Sequence, residues 1–166
     1  MSDDSTPADA VVIERTFDAP RELIWQLWTQ PEHLRSWYGP DHVTITVADM
    51  DVRVGGARLV CMEVETPDGL MRMWLGGEYR EVVDNERLVY TDLRCDEHGN
   101  PLSGTEGGLP QGHPTTTEVT VTLEDVEGGT RMVMTHAGIP ADSPGAAGWA
   151  MAFDKLAARA SALRAR

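Results

Sequence analysis

Residues 144–166 read PGAAGWAMAFDKLAARASALRAR. Trp149, Phe153, Leu156, Ala160 and Leu163 fall at i, i+4, i+7, i+11 and i+14, which makes one continuous apolar stripe on an α-helix. Ser143 can cap this helix and Pro144 can open it, because a proline in a first turn lacks only an N–H that would be unpaired there anyway. Arg159, Arg164 and Arg166 gather near its end, where positive charge complements the helix dipole.

Upstream, the chain reads as strands. Val119, Val121 and Leu123 alternate with Thr120, Thr122 and Glu124. Gly128-Gly129 turns the chain into Thr130–Ala137, where Met132, Met134 and His136 share one parity. Earlier strands are predicted over 43–48, 57–65, 70–82 and 87–94, with Gly76-Gly77 as a bulge or bend. Residues 11–17 make a first strand, and Asp18-Ala19-Pro20 leads into a helix whose face carries Leu23, Ile24, Leu27 and Trp28. Thr29-Gln30-Pro31-Glu32 has the spacing of a capping box and predicts a second short helix, stopped at Trp37-Tyr38-Gly39-Pro40. The tight connections make the sheet antiparallel. Residues 1–10 read as a disordered acidic tail and 11–166 as a single domain. Residues 95–115, rich in Gly and Pro and without a period, read either as a surface excursion or as a lid.

This order gives an α+β domain: a strongly curved antiparallel sheet of about six to seven strands, a long C-terminal helix, and two short helices after the first strand. A strongly twisted sheet need not seat flat against such a helix. The gap would be an apolar cavity, a common kind of ligand site.

Composition narrows the partners. The 166 residues carry 14 basic and 27 acidic side chains, a net charge of −13. That field repels phosphate backbones, so nucleic acid is excluded as a partner. No apolar run approaches the ~20 residues that span a bilayer, and the acidic start Met1-Ser2-Asp3-Asp4 is no secretory signal. Cys61 and Cys95 form no CxxC pair and read as reduced thiols of a cytoplasmic protein.

A set of short segments then points to a family. They are Phe17-Asp18-Ala19-Pro20 with Ile24-Trp25, Trp37-Tyr38-Gly39-Pro40, Asp51-Val52-Arg53-Val54-Gly55-Gly56, Gly77-Glu78-Tyr79-Arg80-Glu81-Val82 and Glu86-Arg87-Leu88-Val89-Tyr90-Thr91. Asp96-Glu97-His98-Gly99-Asn100-Pro101, Gly129-Thr130-Arg131, His136-Ala137-Gly138 and Gly148-Trp149 with Phe153-Asp154-Lys155-Leu156 complete it. In this order, over residues 11–163, they resemble the helix-grip, START-like (SRPBCC) superfamily that includes plant pollen allergens and polyketide cyclases. Within it they resemble the branch named after the C-terminal domain of the Hsp90 ATPase activator. The resemblance implies a helix-grip fold and, for at least part of the aromatic set, a cavity-facing position. It fixes no function, because the superfamily ranges from binding proteins to enzymes. The branch's namesake carries a separate N-terminal domain that supplies much of its chaperone binding. A chain of 166 residues has no room for it, so a chaperone is not the expected partner.

Candidate ligand-binding residues are Trp28, Trp37, Met62, Trp74, Tyr79, Tyr90, Met132, Met134, His136, Trp149 and Phe153. Aromatic rings offer flat apolar surfaces and methionine adapts to irregular shapes; ordinary core filling is the alternative for each. His136 has the chemistry of a base or hydrogen-bond donor, and equally that of a satisfied core histidine. Arg72, Trp74 and Glu78 share a parity on one strand; either they line a cavity, or that face is solvated and Met71, Met73, Leu75 and Tyr79 face the core. No catalytic residue is assigned.

Asp96, Glu97, His98 and His113 in the long loop lack metal-site spacing, and no phosphate-cradling glycine loop occurs. No metal and no cofactor are therefore expected. The expected function is binding of a small apolar or amphipathic molecule. A cavity-based enzyme of the cyclase, hydrolase or lyase kind using His136 and Glu78 is one alternative, and a chaperone-ATPase activator is another. Exposed sheet edges leave a homodimer open.

Overall fold

The structure is a computed structural model that describes residues 10–102, 116–139 and 144–164. Its strands are β1 (Ala10–Phe17), β2 (Val43–Met50), β3 (Ala57–Thr66), β4 (Gly69–Val83), β5 (Arg87–Cys95), β6 (Thr116–Val126) and β7 (Gly129–Ala137). Its helices are α1 (Arg21–Thr29), α2 (Pro31–Leu34) and α3 (Pro144–Arg164). The alternating segments thus become one seven-stranded sheet in the order β1-β7-β6-β5-β4-β3-β2, with every neighbour antiparallel. Of the acidic tail, only Ala10 lies within the described residues, and it already belongs to β1. Most of the long loop, from residue 103 on, and the cap at Ser143 lie outside them. No described helix is long and apolar enough to cross a membrane.

Register decides what lies inside. Val11 pairs with His136, His136 with Val119, Val119 with Tyr90, and Tyr90 with Tyr79. Paired residues share a face, so five strands present one buried row to the concave side. The parity question on β4 resolves the same way: Leu75 and Tyr79 are buried, whereas Arg72 and Glu78 are exposed. Met71 is exposed as well, because the strand there runs out beyond the core.

Gly77 makes the bend expected at the double glycine. A Cβ there would lie 2.0 Å from the carbonyl oxygen of Thr91, so only glycine lets β4 and β5 come this close. The Thr91 hydroxyl accepts the Glu78 N–H at 2.9 Å as the β4–β5 pairing lapses. The bulge itself falls just beyond, between Tyr79 and Glu81.

On the concave side α1 buries Ile24, Leu27 and Trp28, and α3 buries Trp149, Ala152, Phe153, Leu156 and Ala160. The capping box does not form. Thr29 Oγ1 donates instead to the Trp25 carbonyl at 2.8 Å, and α2 starts at Pro31 with no side-chain cap. A threonine at a helix end can bond back along the preceding turn, and here that bond wins. Buried hydrogen bonds pin the layers: Trp37 Nε1 donates to the Leu27 carbonyl at 2.7 Å, and Thr130 Oγ1 to the Ala19 carbonyl at 2.7 Å.

Candidate functional site

The concave face of β3 carries a charge where its parity demands an apolar residue. Arg58 shares the face of Val60 and Met62, and its side chain is 1% exposed. Its guanidinium lies 4.1 Å from the Tyr90 ring centroid and 5.3 Å from that of Tyr38, within cation–π range. Nη1 is 3.6 Å from Asp92 Oδ1, close enough for charge attraction but too long for a hydrogen bond. Neither Nη1 nor Nη2 has a hydrogen-bond partner among the described residues, and neither does Asp92 Oδ1, although all three atoms are buried. Tyr38 and Tyr90 share one hydrogen bond between their hydroxyls at 2.7 Å. Two hydroxyls hold two protons and this bond uses one, so the pair retains donor capacity.

Local chemistry builds this node. Gly39, at φ +87°, turns the chain immediately after Tyr38, and a Cβ there would meet Val43 and the Met62 thioether. Tyr79 packs edge-on to Tyr90 with centroids 6.0 Å apart. Burial raises the pKa of Tyr38, pushes that of Tyr79 up to about 12 and carries that of Tyr90 well above its ordinary value; the Arg58 charge opposes this without cancelling it. Burial also raises the pKa of Asp92, against the pull of Arg58 and Arg94. Burial disfavours the Arg58 charge, but the surrounding Tyr38, Tyr90 and Asp92 outweigh it and the net direction is upward.

A second cluster lies beside this one. Trp28, Trp37, Tyr38, Trp149 and Phe153 pack ring against ring, with Trp28–Trp37 at 4.7 Å and Trp149–Phe153 at 5.4 Å. These side chains take up the volume beneath α3 that the curvature argument left open. Trp149 Nε1 donates to His136 Nδ1 at 2.9 Å. An indole can only donate, so Nδ1 bears no proton and the neutral ring carries its proton on Nε2. Nε2 then donates to Thr117 Oγ1 at 2.8 Å, and Thr117 donates on to the Asp92 carbonyl at 3.2 Å. His136 therefore fastens α3 to the sheet, and it lies on the opposite face from exposed Glu78.

Of the candidate residues, Trp28, Trp37, Tyr79, Tyr90, Met132, Met134, His136, Trp149 and Phe153 are buried on the concave side. Met62 is half-buried in the middle of β3. Trp74 is half-buried on the other face, paired with both Cys61 and Cys95, which are free thiols. Sequence reasoning missed Arg58, Asp92 and Tyr38. The signal was present: Arg58 keeps step with Val60 and Met62, and Asp92 with Leu88 and Tyr90. The described surface also has a cleft of about 420 Å³ between the end of β1 and the last turns of α3, floored by Phe17, Ala157 and Ala160.

The family described as "Activator of Hsp90 ATPase homolog 1-like protein" matches residues 18–161. The chain belongs to this AHSA1 family. A solved structure from Chromobacterium violaceum is 27% identical, with a TM-score of 0.73 over 90% of this chain and 95% of that one. One from Arthrobacter aurescens is 25% identical, with a TM-score of 0.75 over 93% and 87%. The AHSA1 protein from Silicibacter pomeroyi, at 19% identity and a TM-score of 0.68 over 92% and 97%, shares the fold. No curated protein matches the chain. The helix-grip α+β architecture is thus that of the AHSA1 branch of the START-like superfamily.

Proposed function

We propose that this AHSA1-family chain binds a small amphipathic molecule against the concave face of β3–β5. The observation that supports this most directly is the Arg58–Asp92 node, whose buried hydrogen-bonding atoms lack partners among the described residues. Folded proteins rarely leave such atoms unsatisfied, and an incoming polar group would meet that need. The helix geometry supports the same reading. α3 approaches β1 and α1 most closely, and among the described residues no helix comes comparably close to β3, β4 or β5. Half-buried Met62 and Met73 border that region and adapt readily to a guest. Less favourable to the enzyme alternative, His136 bonds to Trp149 and Thr117, and Glu78 is exposed on the other face.

Native mass spectrometry of freshly purified protein, followed by thermal shift with medium-chain amphipaths, tests the reading. A carried adduct is expected, or a stabilisation of about 2.7 kcal/mol at a hundredfold excess over Kd, which is about 5–10 °C for a protein of this size. The absence of both an adduct and any shift would overturn it.

A further inference from the structure

The unfilled bonding capacity at the node specifies the head group of the guest, and this inference rests on the binding reading above. Arg58 offers two buried donors, Nη1 and Nη2, and the Tyr38–Tyr90 pair offers an O–H. Asp92 Oδ1 offers a buried acceptor 3.6 Å from Arg58 Nη1. The pair is neutral overall, since guanidinium and carboxylate cancel. A carboxylate guest would bring a second anion beside Asp92, where like charges repel in a poorly screened interior. A cation would meet Arg58. A guest with only an acceptor would leave Asp92 Oδ1 unsatisfied, which costs affinity because a buried unpaired polar atom keeps its full desolvation penalty. We infer that the node recognises an uncharged head group that presents an acceptor and a donor side by side, as a carboxamide or lactam does, with the carbonyl on Arg58 and the N–H on Asp92.

The test compares three probes with one heptyl tail: octanamide, octanoate and heptyl methyl ether, titrated into the full chain by calorimetry at pH 7.5. Octanamide is expected to bind at least about tenfold more tightly than either of the others, the scale of one hydrogen bond at a buried charged group. In Arg58→Met octanamide loses the donors to its carbonyl and should bind at least about tenfold more weakly than it does in the wild type. Asp92→Asn removes the anion and should bring octanoate level with or ahead of octanamide. If Arg58→Met fails to fold, as judged by circular dichroism, Asp92→Asn alone decides. Wild-type preference for octanoate, equal binding of all three probes, or an order unchanged in Asp92→Asn would overturn the inference and leave the binding reading intact. Failure of every probe to bind would overturn both.

Discussion

Raising the pH should unfold this protein through its tyrosines. The chain has three, Tyr38, Tyr79 and Tyr90, and each is no more than 3% exposed in the concave core. Burial holds each in the neutral form, most measurably Tyr79, which moves from 10.0 to about 12. That rise corresponds to about 3 kcal/mol. The sign follows from the raised folded value. Below pH 10 both states are protonated and the stability is fully present. Above it the unfolded chain releases the protons while the folded chain keeps them, so stability is lost as pH rises toward the folded value. Each phenol costs up to about 1.4 kcal/mol per pH unit, and three together about 4 kcal/mol per unit. Against a typical total of about 5–15 kcal/mol, that slope should begin to unfold the protein from about pH 11 upward. Absorbance at 295 nm, far-ultraviolet dichroism and tryptophan fluorescence should then change together in one steep step. Tyr79→Phe should make that step shallower by one proton. Phenolate absorbance with a midpoint near pH 10 in a protein that keeps its native dichroism would refute the reasoning.

Trp149→Phe withdraws the indole donor from a buried acceptor on His136 and should cost about 1–3 kcal/mol, read as a fall in Tm of a few degrees per kcal/mol. In the wild type, ¹⁵N spectra at pH 8 should show His136 with its proton on Nε2. Gly77→Ala drives a Cβ into the Thr91 carbonyl and should cost more than about 3 kcal/mol. Gly148→Ala meets only Pro40 at ordinary contact distance and should stabilise α3 by up to about 1 kcal/mol; urea midpoints check both. The Asp96 carboxylate accepts from the Asn100 backbone and side chain and from the His98 N–H, which lowers its pKa below the ordinary 3.8. The contribution of Asp96 should therefore persist down to pH 3.8 and fade only below it, followed by the Asn100 amide shift in NMR.

The parts of the fold set by period were legible. Residues 116–137 alternate cleanly because one face of β6 and β7 meets the core, and the α3 stripe survives as Trp149, Phe153, Leu156 and Ala160. β4 was ambiguous because Trp74 lies half-buried on the outer face between Cys61 and Cys95 while Met71 on the inner parity is exposed. Periodicity cannot separate two faces that both carry large apolar groups. The Thr29 capping pattern misled because a hydroxyl has a choice of carbonyl and amide partners, and the local turn decides. The Arg58 node was hidden for another reason. On one strand a charge at an apolar position is indistinguishable from a solvated side chain until Tyr38, Tyr90 and Asp92 arrive from other elements. His136 could be placed on its face from parity, but the tautomer fixed by Trp149 depends on a contact across thirteen residues of chain.

The position of β1 has a consequence for how the protein is made. From β2 to β7 each strand pairs with its neighbour in sequence, so that stretch can zip up progressively as it leaves the ribosome. β1 cannot join in: Phe17 must wait for Thr130 and Ala10 for Ala137. β1 is thus an orphan until β7 has been made, with Val11 and Phe17 unclaimed in the interval. That interval is when a nascent chain is most exposed to wrong partners. Charged Glu14 and Arg15, set among its apolar residues, are the kind of gatekeepers that keep a waiting strand from sticking to another.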